Sequence, residues 1–170
     1  MGVAGSGKTT IGEVLAARHG GEFHDADAFH PPENVAKMAA GHPLNDTDRA
    51  PWLTRLWREV VDATPRGKLC VLACSALKRA YREKLGVGLT DDVVLVYLKG
   101  DAITLTERLG ARTGHFMKAG MLESQLATLE EPTLDEGIVV DISGTVEEIV
   151  DEIGAALGLR FPSQAADSAQ

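Results

Sequence analysis

At 170 residues the chain can build one domain around a single core and has no room for a second catalytic domain of ordinary size. Its apolar share of 44% is that of an ordinary globular protein, and no apolar run reaches the ~18–20 residues of a membrane-spanning helix. A net charge of −8 argues against nonspecific binding to nucleic acid or anionic membrane. The N-terminus has no basic stretch followed by an apolar one, so a cytoplasmic location is expected.

The first element is a helix over 8–19, with Ile11, Val14 and Leu15 on its buried face, stopped by Gly20-Gly21. Directly before it stands Gly2-Val3-Ala4-Gly5-Ser6-Gly7-Lys8-Thr9, a full match to G-x-x-x-x-G-K-S/T. Glycines at these positions let backbone N–H groups turn inward around phosphate oxygens. Lys8 adds a point charge at the β- and γ-phosphates, the Thr9 hydroxyl suits Mg²⁺, and the helix start, with Thr10 beside it, favours an anion. The loop therefore predicts binding of ATP or GTP, and names no acceptor. It normally follows a central strand, yet only Met1 precedes Gly2. The expectation is that the natural chain starts upstream of Met1 or that the sheet is locally compromised.

A short strand over 22–24 ends at Asp25, followed by Asp27 and His30 in Asp25-Ala-Asp-Ala-Phe-His-Pro31. Asp25 can hold a water on Mg²⁺ while Asp27 accepts or orients the proton of an acceptor hydroxyl; a helix-capping loop is the plain alternative. Helices are expected over 33–40 and 48–63, the second with Leu53, Leu56, Trp57 and Val60 as its core stripe. Between and within them Lys37, Asp46 and Arg49 are candidate acceptor contacts, as are His30 before them and Ser75 and His115 further along. Arg49 suits a bidentate clamp on a carboxylate, whereas Asp46 or Asp48 can instead cap the helix. Trp52 reads as core.

Strands over 69–74 and 93–98 are continuous apolar runs, as in strands covered on both faces. Cys70 and Cys74 lie on one face of the first, too far apart for a disulfide, and read as free thiols. Ser75 stands where many such enzymes carry an acid, so Asp25 is the better Mg²⁺ candidate. Arg79 and Arg82 are neighbours on the next helix, over 78–85, and are either site residues or a solvated basic face. A helix over 101–112 leads into a basic, glycine-containing segment with Arg108, Arg112 and His115, which suits a lid over about 112–120. A helix over 121–129, a strand over 137–142 and a helix over 145–157 follow. Residues 162–170 are small and polar and are expected to be disordered. The alternation of strands and helices predicts a single α/β domain over 1–161, a three-layer sandwich of P-loop type with a parallel sheet and helices on both faces. Its ligands belong at the carboxyl ends of the strands.

The segments GVAGSGKT, DADAFHPPEN, KMAAGHPLNDTDRAPWL, LACSALKRAYR and RLGARTGHFMKAGMLESQLATLEEP, spanning 2–132, together resemble the gluconokinase family of sugar-acid kinases. The resemblance implies ATP- and Mg²⁺-dependent phosphorylation of D-gluconate to 6-phospho-D-gluconate, a fold like that of shikimate and nucleoside monophosphate kinases, and a homodimer. It implies Asp27 as base, Arg49 and Arg82 as gluconate ligands, and Arg108 and Arg112 as ATP contacts. Gly110 and Thr113 depart from the basic or larger residues common in the family. Kinases of another hydroxy acid such as shikimate, and a non-catalytic nucleotide-binding module, are the alternative readings.

Overall fold

A computed structural model describes residues 1–110 and 119–159. The expected lid lies almost wholly outside these residues, and the expected tail wholly so. Helix α1 (Lys8–His19) leaves the glycine loop directly. Strand β1 (Glu22–Asp25) pairs in parallel with β2 (Cys70–Ala73), Asp25 opposite Ala73. Strand β3 (Leu95–Lys99) pairs in parallel with β4 (Gly137–Asp141), Lys99 opposite Asp141.

The two pairs do not bond to each other; the first two residues lie between them. The Met1 ammonium donates to Val96 O, Leu98 N–H donates to Met1 O at 3.0 Å, and Gly2 N–H donates to Ser75 O at 3.4 Å. Met1 and Gly2 thus connect β3 to the residue that follows β2.

Helices α2 (Pro32–Ala39), α3 (Asp46–Leu56), α4 (Arg79–Lys84), α5 (Ala102–Gly110), α6 (Ala119–Thr128) and α7 (Val146–Ala156) complete the described elements. Helix α3 begins two residues before the expected start. Asn45 accepts from Asp48 N–H while the Asp48 carboxylate accepts from Asn45 N–H, a capping box that satisfies two end donors at once. It also stops short of the expected end, passing into a π-helical turn at Trp57–Val61.

One core cluster joins Ile11 and Leu15 of α1 to Leu98, Val140, Ile149 and Ile153; another joins Leu53 and Leu56 of α3 to Cys74, Tyr81 and Leu85. Val71 packs with the first cluster, whereas its neighbours Cys70 and Leu72 pack with the second. Successive strand residues face opposite sides, so the two cores cover opposite faces of the sheet. That is the three-layer arrangement. A fully buried leucine such as Leu56 contributes roughly 1.5–3 kcal/mol through burial. Both cysteines are free, and burial pushes the Cys74 thiol up to about 11. Among the described residues no helix is long and apolar enough to cross a membrane.

Candidate active site

The glycine loop turns through left-handed backbone at Gly5 (φ 85°) and Gly7 (φ 86°), where a side chain would be strained. A Cβ at Gly5 would also stand 2.9 Å from Leu105 O, so the loop rests against α5. Lys8 Nζ donates to Val3 O at 3.1 Å. Val3 is in the core, and Ser6 is fully buried with its hydroxyl unpartnered among the described residues, so these two can serve a nucleotide only through their backbone. Ala4 N–H donates to Oε1 of Gln125 on α6 at 2.6 Å.

Thr9 Oγ1 donates to Asp25 Oδ2 at 3.2 Å, and Asp25 Oδ1 accepts from Asp27 N–H at 3.0 Å. One carboxylate therefore ties the loop hydroxyl to the turn that presents Asp27, whose own side chain is 86% exposed. Beside the loop, a cavity of about 240 Å³ is lined by Gly5, Gly7, Thr10, Arg108 and Gly144. Arg108 Nη2 donates to Ile142 O at 2.6 Å, which holds the guanidinium at this cavity.

A larger cavity, of about 630 Å³, opens at the end of β2. Helix α3 contributes Asp46, Arg49 and Trp52, the strand end contributes Ser75 and Lys78, and α6 contributes Gln125. Asp46 accepts from Lys78 Nζ at 2.8 and 3.0 Å and from the Tyr81 hydroxyl. The Lys78 bond, then the Tyr81 bond, holds the Asp46 carboxyl below its ordinary range. The Arg49 guanidinium stands 5.7 Å from the centre of the Tyr81 ring and has no ion-pair carboxylate among the described residues. Of the two acids open to a capping role, Asp48 caps α3 and Asp46 enters the site.

His30 is buried and stacked on Trp52, with ring centres 4.3 Å apart and planes at 14°. Its Nδ1 is 3.5 Å from Asn34 Nδ2 and its Nε2 is 3.8 Å from Asp27 Oδ1. Trp52 Nε1 donates to Ala26 O at 2.8 Å, so the same indole lines the cavity and pins the Asp25–Asp27 turn. His30 thus supports the site from behind. Burial lowers its pKa, Asp27 opposes the shift and Arg49 adds to it. A histidine with a lowered folded pKa gives full stability above its unfolded value of about 6.5 and loses it as pH falls below that value. His30→Gln is expected to flatten the decline of melting temperature below that pH; an unchanged slope would count against a neutral buried imidazole.

Three other expected acceptor contacts are placed elsewhere. Lys37 pairs with Asp48, bracing α2 against α3. Arg79 points outward and pairs with Glu83 one turn along α4, the solvated-face reading. Arg82 requires a correction. Its side chain is 1% exposed and lies under the cavity floor, with Nε and Nη2 bonded to Glu136 at 3.1 and 3.0 Å. Nη1 donates to the carbonyls of Ala76, Leu77 and Glu130, so protein groups consume the donors an acceptor would need. Arg112 and His115 lie outside the described residues. Sequence reading missed Lys78, Tyr81 and Gln125 as cavity residues; the basic and aromatic character of the CSALKRAY segment was the available signal for the first two.

A phosphate-cradling loop at the head of α1, an acid at the end of β1 and a polar cavity at the end of β2 define a P-loop kinase of the small-molecule type. A shikimate kinase family model matches residues 4–157. The gluconokinase of Gluconobacter oxydans (strain 621H) is 49% identical over 141 residues, covering 82% of this chain and 78% of that protein. The thermoresistant gluconokinase of Escherichia coli (strain K12) is 43% identical over 152 residues, covering 88% of this chain and 86% of that protein. A solved gluconokinase from Sinorhizobium meliloti 1021 superposes with a TM-score of 0.82 at 43% identity, over 93% of this chain and 89% of its own. The chain belongs to the gluconokinase family.

Proposed function

We propose that the protein transfers the γ-phosphoryl group of ATP to the 6-hydroxyl of D-gluconate, giving ADP and 6-phospho-D-gluconate in carbohydrate acid catabolism. The observation that carries the reading is Arg49: a guanidinium without a carboxylate partner among the described residues, in the wall of a polar cavity beside the phosphate loop. A sugar acid supplies the missing carboxylate at one end and hydroxyls along its length, which the remaining polar wall can meet.

In the reaction the acceptor oxygen bonds to the γ-phosphorus as the bond from that phosphorus to the β,γ-bridging oxygen breaks. ADP leaves with the bond electrons, and the hydroxyl proton passes to the Asp27 carboxylate. The chain's task is placement and neutralisation, because phosphoryl transfer asks for little covalent chemistry from the protein. Lys8 and the loop N–H groups meet the phosphates, and Arg108 stands at the smaller cavity that suits the rest of the nucleotide. The adjoining Thr9 hydroxyl and Asp25 carboxylate fit Mg²⁺, which takes one or two protein oxygens and completes its shell with phosphate and water. Bound there, the ion would offset phosphate charge. A homodimer working in the cytoplasm accompanies this reading.

An ATP-consumption assay across a panel of aldonates, aldarates, shikimate and neutral polyols tests it. Gluconate should be the preferred acceptor, and consumption indifferent to added acceptor would sink the proposal. Arg49→Lys is expected to raise KM for gluconate by about 10-fold, since charge-assisted hydrogen bonds contribute ~1.5–3 kcal/mol and lysine cannot reproduce the fork. An unaltered KM would remove Arg49 from carboxylate binding.

A further inference from the structure

Helix α6 brings Ser124, Gln125 and Thr128 into the wall of the larger cavity. Of these, Gln125 also reaches the phosphate loop, accepting the Ala4 N–H at 2.6 Å across 121 residues of sequence. A backbone N–H can donate only to oxygen here, which fixes the amide orientation: Oε1 lies on the loop and Nε2 is the remaining donor arm. No hydrogen bond from Nε2 is made to the described residues. One side chain is therefore common to the two compartments whose contents must react.

We infer that Gln125 is a positioning residue that sets the register between the acceptor and the phosphate loop. Its Oε1 fixes the loop at Ala4, ahead of the residues that wrap the phosphates, and its Nε2 donates to a hydroxyl oxygen of the polyol acceptor. The acceptor is thereby held at a defined distance from the γ-phosphorus, and water is kept from the same line of attack. In-line transfer is steep in this distance, a misplacement of about 1 Å costing ~10²-fold. When register is lost, water takes the acceptor's place: its oxygen bonds to the γ-phosphorus, the same bridging bond breaks, and ADP and inorganic phosphate result. The assignment rests on reading the larger cavity as the acceptor site.

Two variants, Gln125→Ala and the similarly long Gln125→Met, test the inference through the ratio of ADP released to acceptor phosphorylated. In the parent enzyme this ratio should stay near one. Both variants are expected to lose about 10–100-fold in transfer, a larger loss than in ATP affinity, with the ratio well above one. A ratio unchanged while transfer and hydrolysis fall together would make Gln125 a mere strut and overturn the inference. So would loss of ATP affinity as the main effect. If neither variant folds, amide exchange on the parent enzyme decides: the Ala4 N–H should be protected, and exchange at the unprotected rate defeats the assignment. Parent activity on gluconate tests the acceptor reading separately, and if the panel selects another acid the same ratio is measured on that acid.

Discussion

Asp27→Asn should lower turnover by ~10²–10⁴-fold, the range of a general base, while ATP affinity stays near that of the parent. The expectation follows from how the turn is built. Asp27 is offered to solvent at the end of β1, its backbone held by Asp25 Oδ1 and its turn held by the Trp52 indole at Ala26 O. The amide keeps the shape and the fold-side hydrogen bonds but cannot take a proton. Titrating the variant with ATP and measuring single-turnover transfer separates the two effects. Normal turnover would exclude Asp27 as the base, and lost ATP binding would assign it to nucleotide positioning.

The second large effect is on stability. Arg82→Met should cost ~3–5 kcal/mol, the usual penalty for stranding one member of a buried ion pair. Glu136, only 11% exposed at its side chain, would then face the interior without its bidentate partner, and three backbone carbonyls would lose a donor. For Glu136 burial alone would raise the pKa, but Thr133 N–H and the Arg82 guanidinium bring it below the ordinary value. The pair's stabilisation is therefore present above the unfolded carboxylate pKa and lost as pH falls through the folded one. Urea titration should show a lower midpoint at unchanged slope. Pairing the change with Glu136→Leu should recover much of the loss, because an apolar pair leaves no buried charge. If the midpoint holds and only the gluconate KM rises, Arg82 is an acceptor ligand after all.

The residues that sequence exposed best were those whose chemistry is local. The loop at 2–9 is a contiguous pattern, and α1 and α7 carry their end signals within a few residues. The Asp25–Asp27 pair was legible because Asp25 ends a strand and Asp27 lies in the turn directly after it. Arg82 and Gln125 were not, since their partners are 54 and 121 residues away and no helical or strand period reports such a meeting. Lys37 and Asp46 show the same limit at shorter range. Spacing put both near the acceptor, but only the capping box at Asn45 turned Asp48 toward Lys37 and left Asp46 for Lys78.

That last arrangement also sets the valence of what the cavity will accept. Asp46 pairs with Lys78, so among the described wall residues Arg49 is left as the one charge without an ion-pair partner. A monoacid brings the cavity to neutrality. A diacid of the same length would bring a second carboxylate for which the described wall holds no unpaired cation, and desolvating it would be costly. The expected selection falls on charge count before stereochemistry, and aldarates should be the poorest acids of the acceptor panel.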